Sequence, residues 1–158
     1  MEVETGVRRV LQDSYRRAMR QPSPSPATPR GFGVLSTTGR KTGKRRRRCV
    51  RAIQEGNKVY LVSLRSRYGA LFRNIQAEPH VTLRIRGGIF PALANEVTDP
   101  KEYEQAKTAY CGTLNPFDRL EHRAHRKGRP TPERIRALHE HWFWVGTPVV
   151  IDLSVKES

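Results

Sequence analysis

The residues with most chemistry to offer lie in STTGRKTGKRRRRC, residues 36–49, where seven of the nine positions from Arg40 to Arg48 are Lys or Arg. Gly39 and Gly43 bracket a tight connection after an apolar run, where backbone N–H groups can be exposed. Thr37, Thr38 and Thr42 add hydroxyls, and Arg40 and Lys41 add charge. Glycine N–H, hydroxyl and cation in one loop make a phosphate cradle. The Walker pattern is absent. If a strand starts near Lys44, period two puts Arg46 and Arg48 on one side and Arg45 and Arg47 on the other. One pair can then join the cradle, and the other is expected to be solvated surface.

The whole chain is basic. Its 158 residues carry 30 Lys and Arg against 15 Asp and Glu, a formal net charge of +15, which favours an anionic partner. A nucleic acid is not expected. The cations sit in a hairpin inside a domain, few aromatics are interleaved for base stacking, and no helix-turn-helix, zinc-finger or RNP pattern occurs. No metal site is read either. His122 and His125, and His139 and His141, lack Cys or acidic ligands at a recognised spacing and are expected to be exposed on helices. Cys49 and Cys111 are too few for a disulfide framework. With no apolar run of membrane-spanning length and no secretion signal at the N-terminus, a cytoplasmic protein is expected.

The cradle needs elements to hold it. Residues 1–20 are read as an N-terminal amphipathic helix, centred on 5–20, with Val7, Val10, Leu11, Ala18 and Met19 near one face and arginines elsewhere. It is expected to pack on the domain, with peripheral contact to an anionic membrane through residues 5–20 as the alternative. Residues 21–31, rich in proline, form an extended linker, and the domain runs over 32–158. Strands are expected at FGVLSTT, at residues 47–53, at KVYLVSL (apolar enough to be covered on both faces), at HVTLRIRG, more weakly at IFPALANEV because of Pro91, and at TPVVIDL. QEGN makes a hairpin turn between the second and third strands. A short helix carries Leu71, Phe72 and Ile75 on one side. Two longer helices open on Asp99–Pro100 and Thr131–Pro132. The fold class is mainly β with helices (α+β), a small antiparallel barrel with helices at its ends.

GVLSTTGRKTGKRR, then a hairpin ending in VYLVSL, then FRNIQAEPHVTLRI, resembles the deazaflavin-dependent nitroreductase and quinone-reductase family. The resemblance runs from about Gly31 to Val97 and more loosely to the last strand. It implies an antiparallel split β-barrel of FMN-binding type. It also implies binding of reduced 8-hydroxy-5-deazaflavin, coenzyme F420, whose tail carries a phosphodiester and glutamates. Arg40, Lys41 and Arg46 match the family's phosphate-binding cations, with Thr38 and Thr42 assisting and Arg48 on the same side. Ser63 stands where the family places a serine near the ring, and Asn74 matches an asparagine that helps hold the coenzyme. Leu71-Phe72 replaces a Trp-Tyr pair, which makes the pocket wall more apolar. Tyr110 holds the first of several tyrosine positions of nitroimidazole-reducing members, but Thr113 and Phe117 hold the next ones, which argues against nitro reduction. Residues 115–144 are longer than expected and are read as covering the substrate side, with Phe117, Trp142, Phe143 and Trp144 as candidate walls. Core packing is the competing reading for Trp142 and Phe143.

The chemistry implied is hydride transfer from reduced coenzyme F420 to an electron-poor small molecule such as an enone, quinone or nitro compound. Ser63 would fix the ring, and Tyr110 or Tyr68 would supply a proton. Two other readings stay open: a split-barrel protein that binds FMN or another ligand without this chemistry, and a basic nucleic-acid-binding module. Related split barrels often pair, so a homodimer is a further expectation.

Overall fold

The computed structural model describes residues 30–153. The expected N-terminal helix and nearly all of the proline-rich linker lie outside these residues. Seven strands form one antiparallel sheet: β1 Phe32–Thr38, β2 Arg45–Arg51, β3 Ile53–Glu55, β4 Lys58–Ser63, β5 His80–Ile85, β6 Gly88–Glu96 and β7 Thr147–Asp152. The order across the sheet is β2-β1-β5-β6-β7-β4-β3. β2 and β3 are consecutive in sequence yet lie at opposite ends of that order, so the chain turns a corner at Ala52 and curls the sheet towards closure. This is the split barrel that the sequence implied. β3 and β4 meet in a two-residue turn, with Glu55 opposite Lys58 and Gly56 at φ 60°, a conformation glycine adopts without Cβ strain.

Two cores follow from strands covered on both faces. Val59 and Leu61 of β4, with Val149 and Ile151 of β7, point into the barrel to meet Leu35, Leu83 and Phe72. The alternate residues, Tyr60, Val62 and Val150, point outward under the helices, against Ala106, Tyr110 and Phe143. The near-continuous apolar run KVYLVSL is therefore fully used. Pro91 is tolerated in β6 because the pairing with β7 covers only Leu93–Glu96, so that side of the strand needs no donor at position 91.

The helices are α1 Ala70–Ala77, α2 Pro100–Gly112, α3 Pro116–His125 and α4 Pro132–Val145. Helix α3 is an addition to the two long helices read from the sequence. Its signature was present: Asn115 caps, Pro116 follows, and Asp118 accepts from the Asn115 N–H at 2.7 Å in a capping box. Its apolar stripe is too sparse to register as a helix by periodicity. Among the described residues no helix is long and apolar enough to cross a membrane.

The helical cover is tied to the barrel by one buried side chain. Arg51, at the end of β2, donates from Nε to Asp118 Oδ1 at 3.1 Å, and from its two terminal nitrogens to the Tyr110 and Thr113 carbonyls at 2.6 and 2.8 Å. The carbonyls belong to the last turn and cap of α2, whose final C=O groups have no partner within the helix. Its guanidinium also lies 4.5 Å from the centroid of the Tyr110 ring. Truncating Arg51→Met would strand the Asp118 carboxylate and two carbonyls in a dry setting. We expect a loss of about 3–5 kcal/mol in urea unfolding, with a smaller loss for the paired change Arg51→Met/Asp118→Leu, because no lone charge is then left buried.

Candidate functional site

The hairpin that joins β1 to β2 is the loop singled out in the sequence. Gly39 N–H donates to the Lys44 carbonyl at 2.8 Å, and Gly43, at φ 69°, donates back to the Gly39 carbonyl at 2.8 Å. A Cβ on Gly39 would sit 3.0 Å from Thr42 Oγ1 and 3.2 Å from the Lys44 carbonyl, so the close turn needs glycine there. Asn74, buried on α1, accepts the Arg40 N–H on Oδ1 at 3.2 Å and moors the loop to the helix. Its role as seen here is to fix the loop.

Beside this loop lies a cavity of about 710 Å³, lined by Thr37, Gly39, Arg40, Lys41, Thr42, Arg46, Arg47, Arg48, Cys49, Ala70, Leu71 and Asn74. The register pairs Thr37 with Arg46 and Leu35 with Arg48, so both arginines share the face of buried Leu35, as period two required. Arg47, read from the sequence as solvated surface, also lines the cavity. Thr38 ends β1 beside the loop but is not among the lining residues. None of the lining residues is acidic, and five are Lys or Arg. Such a hollow fits an anion with several negative groups and repels a cation.

A second cavity, of about 230 Å³, adjoins the first, and the two share Arg48, Cys49, Ala70 and Leu71 as a common wall. Its further lining includes Ser63, Tyr110, Glu121, His125 and Trp142. Ser63 is buried at the end of β4, and its hydroxyl donates to the Ser66 carbonyl at 2.9 Å. Ser66 is held at φ 55°, and its hydroxyl meets that of Thr147 at 3.0 Å, which pins the turn after β4 in a left-handed conformation. Burial is the main reason that the Cys49 thiol is pushed up to about 11, so it stays a neutral wall. Burial likewise drives the Tyr110 phenol above its ordinary value, against the pull of Arg51.

The structure gathers Arg40, Lys41, Thr42, Arg46, Arg48 and Asn74 at the outer cavity, and Ser63 and Tyr110 at the inner one. Tyr68 stands apart from both: it is 89% exposed on a short 3-10 turn, Ser66–Tyr68, with its ring in solvent. Of the candidate walls, Trp142 lines the inner cavity, Phe143 packs in the outer core against Tyr103, and Trp144 is 82% exposed. The side chain of Phe117 lies outside the described ones.

The sequence missed a buried polar cluster above the inner cavity. His122 and His139 are 2% and 1% exposed, in contrast to the exposed helical histidines expected. His139 Nε2 stands 3.9 Å from Asp118 Oδ1 and 4.0 Å from Glu121 Oε1, too far for hydrogen bonds. The i, i+3 spacing of Asp118 and Glu121 put both on one face of α3, but only the packing of α4 brought His139 to them. Burial, helped by Arg51 and opposed by Asp118, lowers His139 to about 4, so its ring is neutral and forms no ion pair at neutral pH.

The curled seven-stranded sheet of a split barrel thus carries a cation-lined hollow that shares a wall with a smaller cavity bearing Tyr110 and Trp142. Residues 9–126 match the family model described as F420H(2)-dependent quinone reductase, and the chain belongs to that family. It is an F420-dependent reductase, and F420H2 is its cofactor. No curated protein matches the chain. Similar solved structures include the F420-H2 dependent reductase FDR-A, 20% identical over 78% of this chain and 94% of that one, with a TM-score of 0.47. A conserved hypothetical protein from Mycobacterium tuberculosis is 16% identical over 78% and 73% of the two chains, with a TM-score of 0.51. HutZ, the heme storage protein from Vibrio cholerae, is 13% identical over 80% and 84%, with a TM-score of 0.53.

The neutral His139 makes a pH prediction. Between its ordinary value of 6.5 and about 4, the unfolded chain takes up a proton at this residue that the folded chain refuses. This contribution to stability is therefore lost as pH falls through that window. Urea unfolding at a series of pH values should show a shallower decline over pH 6.5 to 4 for His139→Gln than for the wild type.

Proposed function

We propose that this protein reduces an electron-poor small molecule, an enone or a quinone, with hydride from F420H2. The observation that carries the reading is the acid-free, cation-lined outer cavity that shares a wall with the inner one. When bound, the deazaflavin supplies the hydride; the protein's part is to bind, orient and exclude water.

In this reading Arg40, Lys41 and Arg46 hold the phosphodiester and the glutamates of the tail, with Thr42 and Thr38 adding hydroxyls. Arg48, on the common wall, sits where the tail gives way to the ring. Asn74 keeps the loop in place through the Arg40 N–H, which leaves the loop's side chains free to turn to the ligand. Ser63 stands at the ring end of the passage. The basic surface raises the local concentration of the anionic coenzyme, an effect that salt weakens.

The acceptor occupies the inner cavity. Leu71, Val62 and Trp142 give it apolar and aromatic walls, which suit a flat, uncharged molecule. Tyr110, whose phenol burial keeps protonated, donates a hydrogen bond to the oxygen on which negative charge develops.

Titration of the purified chain with F420, followed by the coenzyme's fluorescence, tests the reading. Arg40→Ala and Lys41→Ala should each weaken binding about tenfold, about 1.4 kcal/mol, and rising salt should weaken the wild type more than either variant. Tighter binding of FMN than of F420 would overturn it, and so would indifference of F420 binding to both substitutions.

A further inference from the structure

Glu121 is the one carboxyl among the described residues lining the inner cavity, and it is 5% exposed. It reaches the cavity because α3 is fixed one turn earlier by the Arg51–Asp118 pair. The geometry points to Glu121 as the catalytic acid that protonates the substrate after hydride addition, a role that rests on the reductase function proposed above.

The step balances as follows. An enone receives two electrons and one hydrogen as hydride at its β-carbon, where a new C–H bond forms while F420H2 is oxidised. The electron pair of the former carbon–carbon π bond is left on the enolate. The enolate's α-carbon takes the proton of the Glu121 carboxyl, the O–H bond breaks, and Glu121 is left as carboxylate. The proton that the oxidised coenzyme gives up, passed through solvent, restores the Glu121 carboxyl, so that hydride and proton both come in sum from F420H2.

The surroundings support a carboxyl that keeps its proton until then. Of the arginines that line the cavity, Arg48 and Arg65 are exposed and screened by water, and Arg51 from β2 is already engaged by the Asp118 carboxylate. A second carboxylate within 4.8 Å of that charge, in the same dry cluster, is disfavoured in its ionised form. The histidines around it add little positive charge: His139 from α4 is held neutral, and burial lowers His122 on α3 as well. His125 lies at the exposed side, its ring 5.2 Å from Trp142. Two other proton carriers on the cavity, Tyr110 and Cys49, are poorer acids. The Tyr110 phenol is shifted upward from a value already high, and the Cys49 thiol is pushed to about 11. Tyr110 therefore hydrogen-bonds the oxygen, and Glu121 delivers the proton.

Two measurements decide the matter. Infrared difference spectra of the coenzyme-free chain across a pH titration should show a protonated-carboxyl C=O band at pH 7 that is missing in Glu121→Gln. With cyclohexenone as acceptor, Glu121→Gln should lower kcat about 100-fold or more, with F420H2 binding within about twofold of the wild type. The wild-type rate should fall on the alkaline side as the carboxyl ionises, and that limb should vanish in Glu121→Gln. Glu121→Asp, with circular dichroism to check folding, should recover part of the rate and keep the limb. A chain that binds F420H2 and reduces the enone but is unmoved by Glu121→Gln overturns this role alone, as does absence of the infrared band. A wild-type chain that does not bind F420H2 overturns the function itself and this role with it.

Discussion

Arg51 leaves the barrel wall at the end of β2 and turns all three of its guanidinium nitrogens to the helices above. One nitrogen meets the Asp118 carboxylate at the start of α3, two meet carbonyls where α2 ends, and the flat of the guanidinium lies 4.5 Å from the Tyr110 ring. A guanidinium can do this because its donors are fixed in a plane and its charge persists at every pH the protein meets. Burying it is costly without such partners, so the helices and the barrel specify one another. The inner cavity exists in the space this clamp holds open: Tyr110 and Glu121 both line it, and both sit on helices that Arg51 anchors.

Charge is sorted between the two cavities. The outer one is walled by cations with no acid among its lining residues, while the inner one sets a single carboxyl and three arginines, Arg48, Arg51 and Arg65, among apolar walls. In the proposed binding mode, this difference in charge would favour the anionic tail in the outer cavity. The common wall of Arg48, Cys49, Ala70 and Leu71 marks the crossing from one environment to the other. Of the Leu71-Phe72 pair expected on the pocket wall, Leu71 lines both cavities and Phe72 is buried in the barrel core. Cys49, kept protonated by burial, adds no charge that would oppose the tail.

The cradle was legible because its chemistry is local. Gly39, Gly43, Thr42, Arg40 and Lys41 fall within five residues, and a hairpin of that length brings them together whatever the rest of the chain does. Strand alternation then put Arg46 and Arg48 together on one face, that of Leu35. Helix α3 was not legible by periodicity, although its cap was. Arg51 gave no signal at all: one arginine after four others on the same strand looks like more solvated charge. Its burial is decided by Asp118, 67 residues later. Tyr68, read from the sequence as a second proton donor on a turn, has its ring in solvent on the short turn that begins at Ser66.

What the chain determined by itself is the period of each strand, the tight glycine-bounded turn, the helix caps and the concentration of positive charge. Each depends on residues within one turn or one hairpin, where backbone geometry leaves few options. Tertiary structure alone decided which arginine is buried, which histidines lose water, and which carboxyl faces the inner cavity. Those outcomes depend on the dielectric around a group, and that is set by what packs against it from distant parts of the chain: α2, α3 and α4 closing over β2 and β4. The type of a side chain fixes what it can donate or accept, but only its neighbours fix whether water is there to compete.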